Sequence, residues 1–172
     1  MKARRYELTD REWELIQPLT AKQTLDYAQS LYEKRFLTYP RTDSNYLTED
    51  MAQTATDLVA ALLPVLPFMR GAELVPEIGR VINSAKVSDH HAIIPTMELA
   101  KADLAVLPES ERNILTLAGA RLLMACAAPH IFEAVTAVFS CADTEFTARG
   151  KTVLSDGWKE IERRYRATLK QK

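Results

Sequence analysis

The chain has 172 residues, of which 47% are hydrophobic and 26% are charged, and its formal net charge is −1. These values are typical of one folded domain, or of one domain with part of a second, and exclude a disordered chain. They also argue against a uniformly basic nucleic-acid binder, because the net charge is near zero. No apolar run approaches the ~18 residues that a transmembrane helix needs, so we expect a cytoplasmic protein with no membrane partner.

Three helices are predicted in the first part of the chain, and each has a capping residue. The first runs from Leu8 to Gln17, with Thr9 and Glu12 as its capping box. Thr20 and Gln23 form the capping box of the second helix, whose buried stripe is Leu25, Ala28, Leu31, Tyr32 and Phe36. Thr48 caps a third helix, which Pro64 and Pro67 end and whose buried stripe is Met51, Ala55, Leu58, Val59 and Leu62.

The pattern changes from helix to strand in the last third of the chain. A short helix over residues 77–82 and a loop with an extended piece over 86–96 lead to a long helix that opens at Pro108 and closes before Pro129. From Phe132, alternating residues predict a β-hairpin, followed by a turn and a charged terminal helix. We therefore predict a mainly α protein, α+β overall, with a leader over 1–19, a helical domain over 20–131 and a partial β domain over 132–172.

Two cysteines, Cys126 and Cys141, have no second metal ligand nearby in the sequence. This pattern predicts buried, unreactive thiols, because free cysteine behaves as a small apolar residue. We predict neither a disulfide nor a metal site.

Residues 37–44 carry the strongest chemical signal in the chain. Proline fixes its own φ and pushes the preceding residue out of the helical region, so Tyr39 should sit where a helix has just ended. A phenol is protonated at neutral pH, but a cation such as Arg41 favours the phenolate and also neutralises a bound phosphate. Tyr39 is thus a candidate nucleophile for phosphoryl chemistry. The alternative is that Tyr39 packs on the core while Asp43 and Ser44 cap a turn.

A second polar cluster, Asp89-His90-His91, contains two of the three histidines. Adjacent side chains point apart on any regular element, so the two histidines are not expected to bind the same atom. One of them can face a ligand, and the alternative is a solvated loop pair.

Taken in order, these segments resemble the type IA DNA topoisomerases, and specifically their topoisomerase III branch. Residues 32–44 (YEKRFLTYPRTDS) are similar to the active-site signature of that family, and residues 86–96 (KVSDHHAIIPT) to its second motif. Residues 146–151 and 156–158 look like the strand that returns to the next domain. The resemblance covers about residues 20–165 and implies a winged-helix-like nucleophile domain.

The resemblance also implies roles for individual residues. Tyr39 would attack a phosphate of single-stranded DNA and hold the 5′ end as a phosphotyrosine while another strand passes, with Arg41 stabilising phosphate and phenolate. His90 would contact the phosphate backbone. The weaker DNA-binding candidates are Asp43, Ser44, His91 and Thr96.

Complete members of this family hold Mg²⁺ in a separate acidic domain, and no aspartate triplet of that kind occurs in this sequence. We expect the polypeptide alone not to cleave DNA, and a partner to supply the acidic domain if one exists. Residues 4–19 resemble the start of insertion-sequence transposases, which suggests a fusion to an interrupted gene. Two alternatives to a topoisomerase fragment stay open: a non-catalytic single-stranded DNA-binding module and an inert gene remnant.

Overall fold

The computed structural model describes residues 20–101 and 103–169, and the predicted first helix and the leader lie outside them. Within this part, four helices and one two-stranded antiparallel sheet confirm the mainly α, α+β fold class. The helices are α1 (Ala21–Glu33), α2 (Ala52–Val65), α3 (Glu109–Cys126) and α4 (Trp158–Leu169), and the strands are β1 (Ile131–Cys141) and β2 (Thr144–Ser155). None of the described helices is both long and apolar enough to cross a membrane. The likeness to a winged helix stays a prediction.

Helix α1 begins as predicted and ends earlier than predicted. The capping box of Thr20 is present, since its hydroxyl accepts from the Gln23 amide at 3.2 Å and its own amide donates to the Gln23 side chain. At the other end, Arg35 adopts a left-handed conformation with φ 64°, which stops the helix before Phe36. The Phe36 amide then donates to the Leu31 carbonyl at 2.8 Å, as in a Schellman motif.

Four features of the helices differ from the sequence prediction. The Thr48 side chain makes no capping bond; it precedes a 3₁₀ turn, Glu49–Met51, that leads into α2. Pro64 lies inside the last turn of α2, which continues to Val65. Pro108 is the residue before α3, not part of its first turn. The predicted helix over 77–82 shortens to a 3₁₀ turn, Ile78–Arg80.

The core lies between the helices. Helix α3 packs against both α1 and α4, and α2 packs beside the 3₁₀ turns that surround it. The ring of Tyr165 on α4 contacts Phe68 with ring centroids 5.3 Å apart. The largest fully buried side chains include Leu31, Leu58, Leu62, Leu115, Leu123 and Tyr165. Burial of this apolar area is the main term that stabilises the helical body.

A buried ion pair joins α1 to α3. The carboxylate of Glu111 is 4% exposed and accepts two bonds from the Lys34 ammonium, at 2.6 and 2.8 Å. The hydroxyl of Ser30 also donates to it at 2.8 Å. Because Lys34 is the C-cap of α1 and precedes residues 37–44 by three positions, this pair helps to hold the segment that carries Tyr39.

The predicted hairpin is confirmed, with Ala142 and Asp143 as its two-residue turn, both at positive φ. All its strand residues are exposed except Ala137 and Ser155, which are half-buried. Phe139 pairs with Phe146 across the strands. Cys141 is exposed, so the expectation that both cysteines are buried is wrong for this one, because it lies at the exposed end of β1 beside the turn.

The base of the hairpin is held by a close backbone crossing. Gly157 has φ 52°, and a Cβ atom there would lie 2.2 Å from the carbonyl oxygen of Pro129. The Trp158 amide donates to the Ala128 carbonyl at 2.9 Å. Only glycine fits this crossing without strain, which explains the glycine before α4.

Candidate nucleic-acid interface

Two segments that lie about fifty residues apart in the sequence, 36–46 and 86–96, form one surface. Leu37 and Pro95 form an isolated antiparallel bridge. The Thr38 amide donates to the Ile94 carbonyl at 3.0 Å, and the Ile94 amide donates to the Thr38 hydroxyl at 2.9 Å. The two segments that resemble family motifs are therefore hydrogen-bonded to each other.

Side-chain hydroxyls continue this pairing beyond the bridge. The Thr42 hydroxyl donates to the His90 carbonyl at 2.8 Å, and the Ser44 hydroxyl donates to the Lys86 carbonyl at 2.8 Å. These bonds hold residues 39–46 as a loop across the second segment. Hydrogen bonds thus fix the backbone of both segments on either side of Tyr39.

Tyr39 is half-buried and its ring lies between two other rings. The His90 ring is 4.5 Å away, centroid to centroid, at an interplanar angle of 44°. On the other side, Tyr32 makes an edge contact at 5.4 Å and 77°. Such contacts restrict the ring to a narrow range of orientations. Tyr39 lies in an extended segment six residues beyond the end of α1, not directly at the helix exit as predicted.

Beside Tyr39 is an open depression of about 390 Å³, lined by Arg41, Thr42, Asp43, Ser88, Asp89 and His90. Arg41 is exposed and makes no salt bridge with any described residue. Its guanidinium can therefore bind a phosphate, because its planar set of N–H donors matches two phosphate oxygens. Two carboxylates, Asp43 and Asp89, share the depression and offset part of this positive charge.

The remaining predicted DNA-binding residues have bonds within the protein. Ser44 is 8% exposed, and its hydroxyl is occupied by backbone groups. The Thr96 hydroxyl donates to the Arg35 carbonyl, and Nδ1 of His91 lies 2.8 Å from the Ala92 carbonyl. These contacts give Ser44, His91 and Thr96 a structural role, and their contact with DNA stays a prediction. As expected from their adjacency, His90 and His91 have different surroundings.

Sequence reasoning missed several residues of this surface. Tyr32 was expected in the buried stripe of α1, but it is 40% exposed and contacts Tyr39. Lys86 and Tyr46 were not singled out, although Lys86 lies over the Tyr46 ring at 4.7 Å. Helical periodicity places Tyr32 in the core, because it lies at the spacing of the apolar stripe. No local pattern indicates that Lys86 contacts Tyr46, which lies forty residues away in the sequence.

No three His, Cys, Asp or Glu side chains group closely enough to hold a metal ion in the described ranges 20–101 and 103–169. The described residues therefore do not fit the Mg²⁺ ion that complete members of the resembled family hold. Cys126 is a buried thiol, as predicted. Burial raises its pKa from 9.0 to about 11, with Arg80 partly opposing the shift, so it stays protonated.

A tyrosine, an arginine and a histidine thus lie close together on two paired segments. The family model for DNA topoisomerases matches residues 11–172, and the chain belongs to this family. It is a type IA, topoisomerase III-like sequence. The match begins at residue 11, inside the predicted leader, so the boundary at residue 20 stays a prediction.

Individual relatives agree with this membership. DNA topoisomerase 3 of Bacillus licheniformis is 38% identical over 148 residues, which is 83% of this chain and 20% of the relative. DNA topoisomerase 3 of Staphylococcus saprophyticus is 37% identical over 163 residues, or 91% of this chain and 23% of the relative. The chain thus spans about a fifth of the length of the curated relatives that it matches.

Proposed function

We propose that this chain carries the nucleophile of a type IA DNA topoisomerase and binds single-stranded DNA through residues 36–46 and 86–96. The observation that supports the proposal most strongly is the contact between Tyr39 and His90, which places the two motif segments at one point. Family membership supports DNA as the substrate. In this proposal the Tyr39 oxygen attacks a phosphorus atom of the strand and displaces the 3′ oxygen. The 5′ end then remains joined as a phosphotyrosine until the 3′ hydroxyl reverses the step and releases Tyr39.

Two side chains beside Tyr39 suit this chemistry. Arg41 is exposed at the depression and can donate two parallel hydrogen bonds to phosphate oxygens, which stabilises the added negative charge of the transition state. His90 can donate a ring N–H to the phosphate while its face holds the Tyr39 ring. Asp43 and Asp89 are candidates for orienting the sugar or the arginine.

The chain by itself is proposed not to cleave DNA. No group of three His, Cys, Asp or Glu side chains that could hold a metal ion occurs among the described residues. We propose that Mg²⁺ and the acid that protonates the leaving 3′ oxygen belong to a separate acidic domain of the complete enzyme. Without that domain, single-stranded DNA binding is the activity that the described residues support.

A covalent-adduct assay combined with a binding assay tests the proposal. The chain is incubated with Mg²⁺ and labelled single-stranded DNA, with and without the acidic part of a relative such as Bacillus subtilis DNA topoisomerase 3. We expect an adduct stable to detergent only when both parts are present, and none with Tyr39→Phe. Tyr39→Phe should still bind DNA, because it retains the ring.

Each other outcome has a distinct meaning. An adduct that persists with Tyr39→Phe would reject Tyr39 as nucleophile, and an adduct formed by the chain alone would reject its inactivity. DNA binding without an adduct under any condition favours the non-catalytic binding module. Absence of binding at low salt, where phosphate contacts are strongest, favours the inert remnant.

A further inference from the structure

Lys86 and Tyr46 form a compact pair on the rim of the interface. The Lys86 ammonium donates to the Tyr46 hydroxyl at 3.3 Å and lies 4.7 Å from the centre of its ring. Among the described residues, no carboxylate pairs with Lys86. The ammonium retains two further N–H donors, and the tyrosine hydroxyl retains its proton. The pair therefore presents several donors and one positive charge to solvent.

A single buried hydroxyl fixes the geometry of this pair. Ser44 is 8% exposed, and its hydroxyl donates to the Lys86 carbonyl at 2.8 Å while it accepts from the Tyr46 amide at 3.1 Å. Both partners thus have their backbone held by the same atom. This arrangement is preorganised, which lowers the entropy that a ligand must remove on binding.

The pair lies close to Tyr39. The Tyr46 carbonyl accepts from the Ala92 amide at 2.9 Å, and the Ala92 carbonyl accepts from the Thr38 hydroxyl at 3.3 Å. Two hydrogen bonds through Ala92 therefore connect the Tyr46 backbone to Thr38, the residue before Tyr39. One short DNA strand can reach both places.

The charge of the neighbouring depression shows why a second cation matters. Arg41 shares the depression with the carboxylates of Asp43 and Asp89, which offset its attraction for a polyanion. Lys86 forms no salt bridge with any described carboxylate. The net attraction for a phosphate backbone is therefore expected to come largely from outside the depression.

We propose that Lys86 and Tyr46 form a second phosphate-binding site, which takes a phosphate of the same single strand that Tyr39 contacts. The inference rests on the proposed function, because it needs the chain to bind DNA. Lys86 supplies charge and two donors, Tyr46 supplies a hydroxyl donor, and Ser44 positions both. The site increases affinity and sets the register of the strand relative to Tyr39.

Fluorescence anisotropy with a labelled oligodeoxythymidylate of roughly twelve nucleotides, a length within known single-strand site sizes, tests the inference. Affinity is measured over a salt series for the wild type, Lys86→Gln, Tyr46→Phe and Lys151→Gln. Lys151 is a matched control, since its ammonium also lies over an aromatic ring, that of Phe132, at 3.8 Å, but on the hairpin.

We expect Lys86→Gln to weaken binding about fivefold and to reduce the slope of log affinity against log salt by about 0.7, the value for one phosphate contact on a single strand. Tyr46→Phe should weaken binding less and leave the slope unchanged, because no charge is removed. Lys151→Gln should match the wild type. If the wild type binds with a steep slope and Lys86→Gln is indistinguishable from it, the second site is rejected while the proposed function stands. If the wild type does not bind, both are rejected.

Discussion

Removal of Lys34 should destabilise the fold more than removal of its partner Glu111, although both changes break the same ion pair. The Glu111 side chain is 6% exposed and that of Lys34 is 42% exposed. In Lys34→Met the Glu111 carboxylate stays buried, and among the described residues only the Ser30 hydroxyl still donates a hydrogen bond to it. In Glu111→Met the Lys34 ammonium can reorient towards solvent. A smaller desolvation cost is therefore left uncompensated.

The magnitude follows from this asymmetry. Breaking a fully buried pair costs about 3–5 kcal/mol, and an exposed pair contributes about 0–1 kcal/mol. Because Lys34 is partly exposed, we expect Lys34→Met to lower the free energy of unfolding by about 2 kcal/mol, or roughly 4–8 °C in Tm. Glu111→Met should cost about 1 kcal/mol, and the double variant should cost less than the sum of the two.

Urea unfolding followed by circular dichroism measures these differences. Lys101→Met is a matched control, because its pair with Glu98 is exposed on both sides, at 71% and 51%. It should change stability by less than about 0.5 kcal/mol. The reasoning is refuted if Lys34→Met matches this control, or if Glu111→Met is the more destabilising of the two single variants.

Three further predictions concern the hairpin base and the two thiols. Gly157→Ala should destabilise the protein by about 3 kcal/mol or more in urea unfolding, since a Cβ atom would lie 2.2 Å from the Pro129 carbonyl oxygen. Gly150→Ala is the control and should be nearly neutral, because its Cβ atom meets no atom within 4 Å. Equal effects of the two substitutions would contradict this reasoning. A thiol reagent should modify exposed Cys141 at once and buried Cys126 only on unfolding. Because burial raises the pKa of Cys126 from 9.0 to about 11, its contribution to stability should be complete below about pH 9 and lost as pH rises towards about 11. A Cys126→Ser variant should show a smaller loss of stability over that range.

Much of the local structure could be predicted from the sequence, because it depends on near neighbours in the chain. The capping box of Thr20 and Gln23 predicts the start of α1, and the period-2 pattern over residues 135–141 predicts the hairpin. The order of the two motif segments also sufficed to indicate the family. Periodicity failed at the end of α1, where Arg35 adopts a left-handed conformation and ends the helix before Phe36.

The roles predicted for Tyr39 and Arg41 came from residue types and their spacing, since a phenol beside a guanidinium suggests phosphate chemistry in any fold. Only the tertiary structure decided what surrounds them. It placed His90 against the Tyr39 ring and brought Lys86 to Tyr46, over sequence separations of 51 and 40 residues. Contacts of this kind leave no periodic trace, because they arise when packing of the helices brings two irregular segments together.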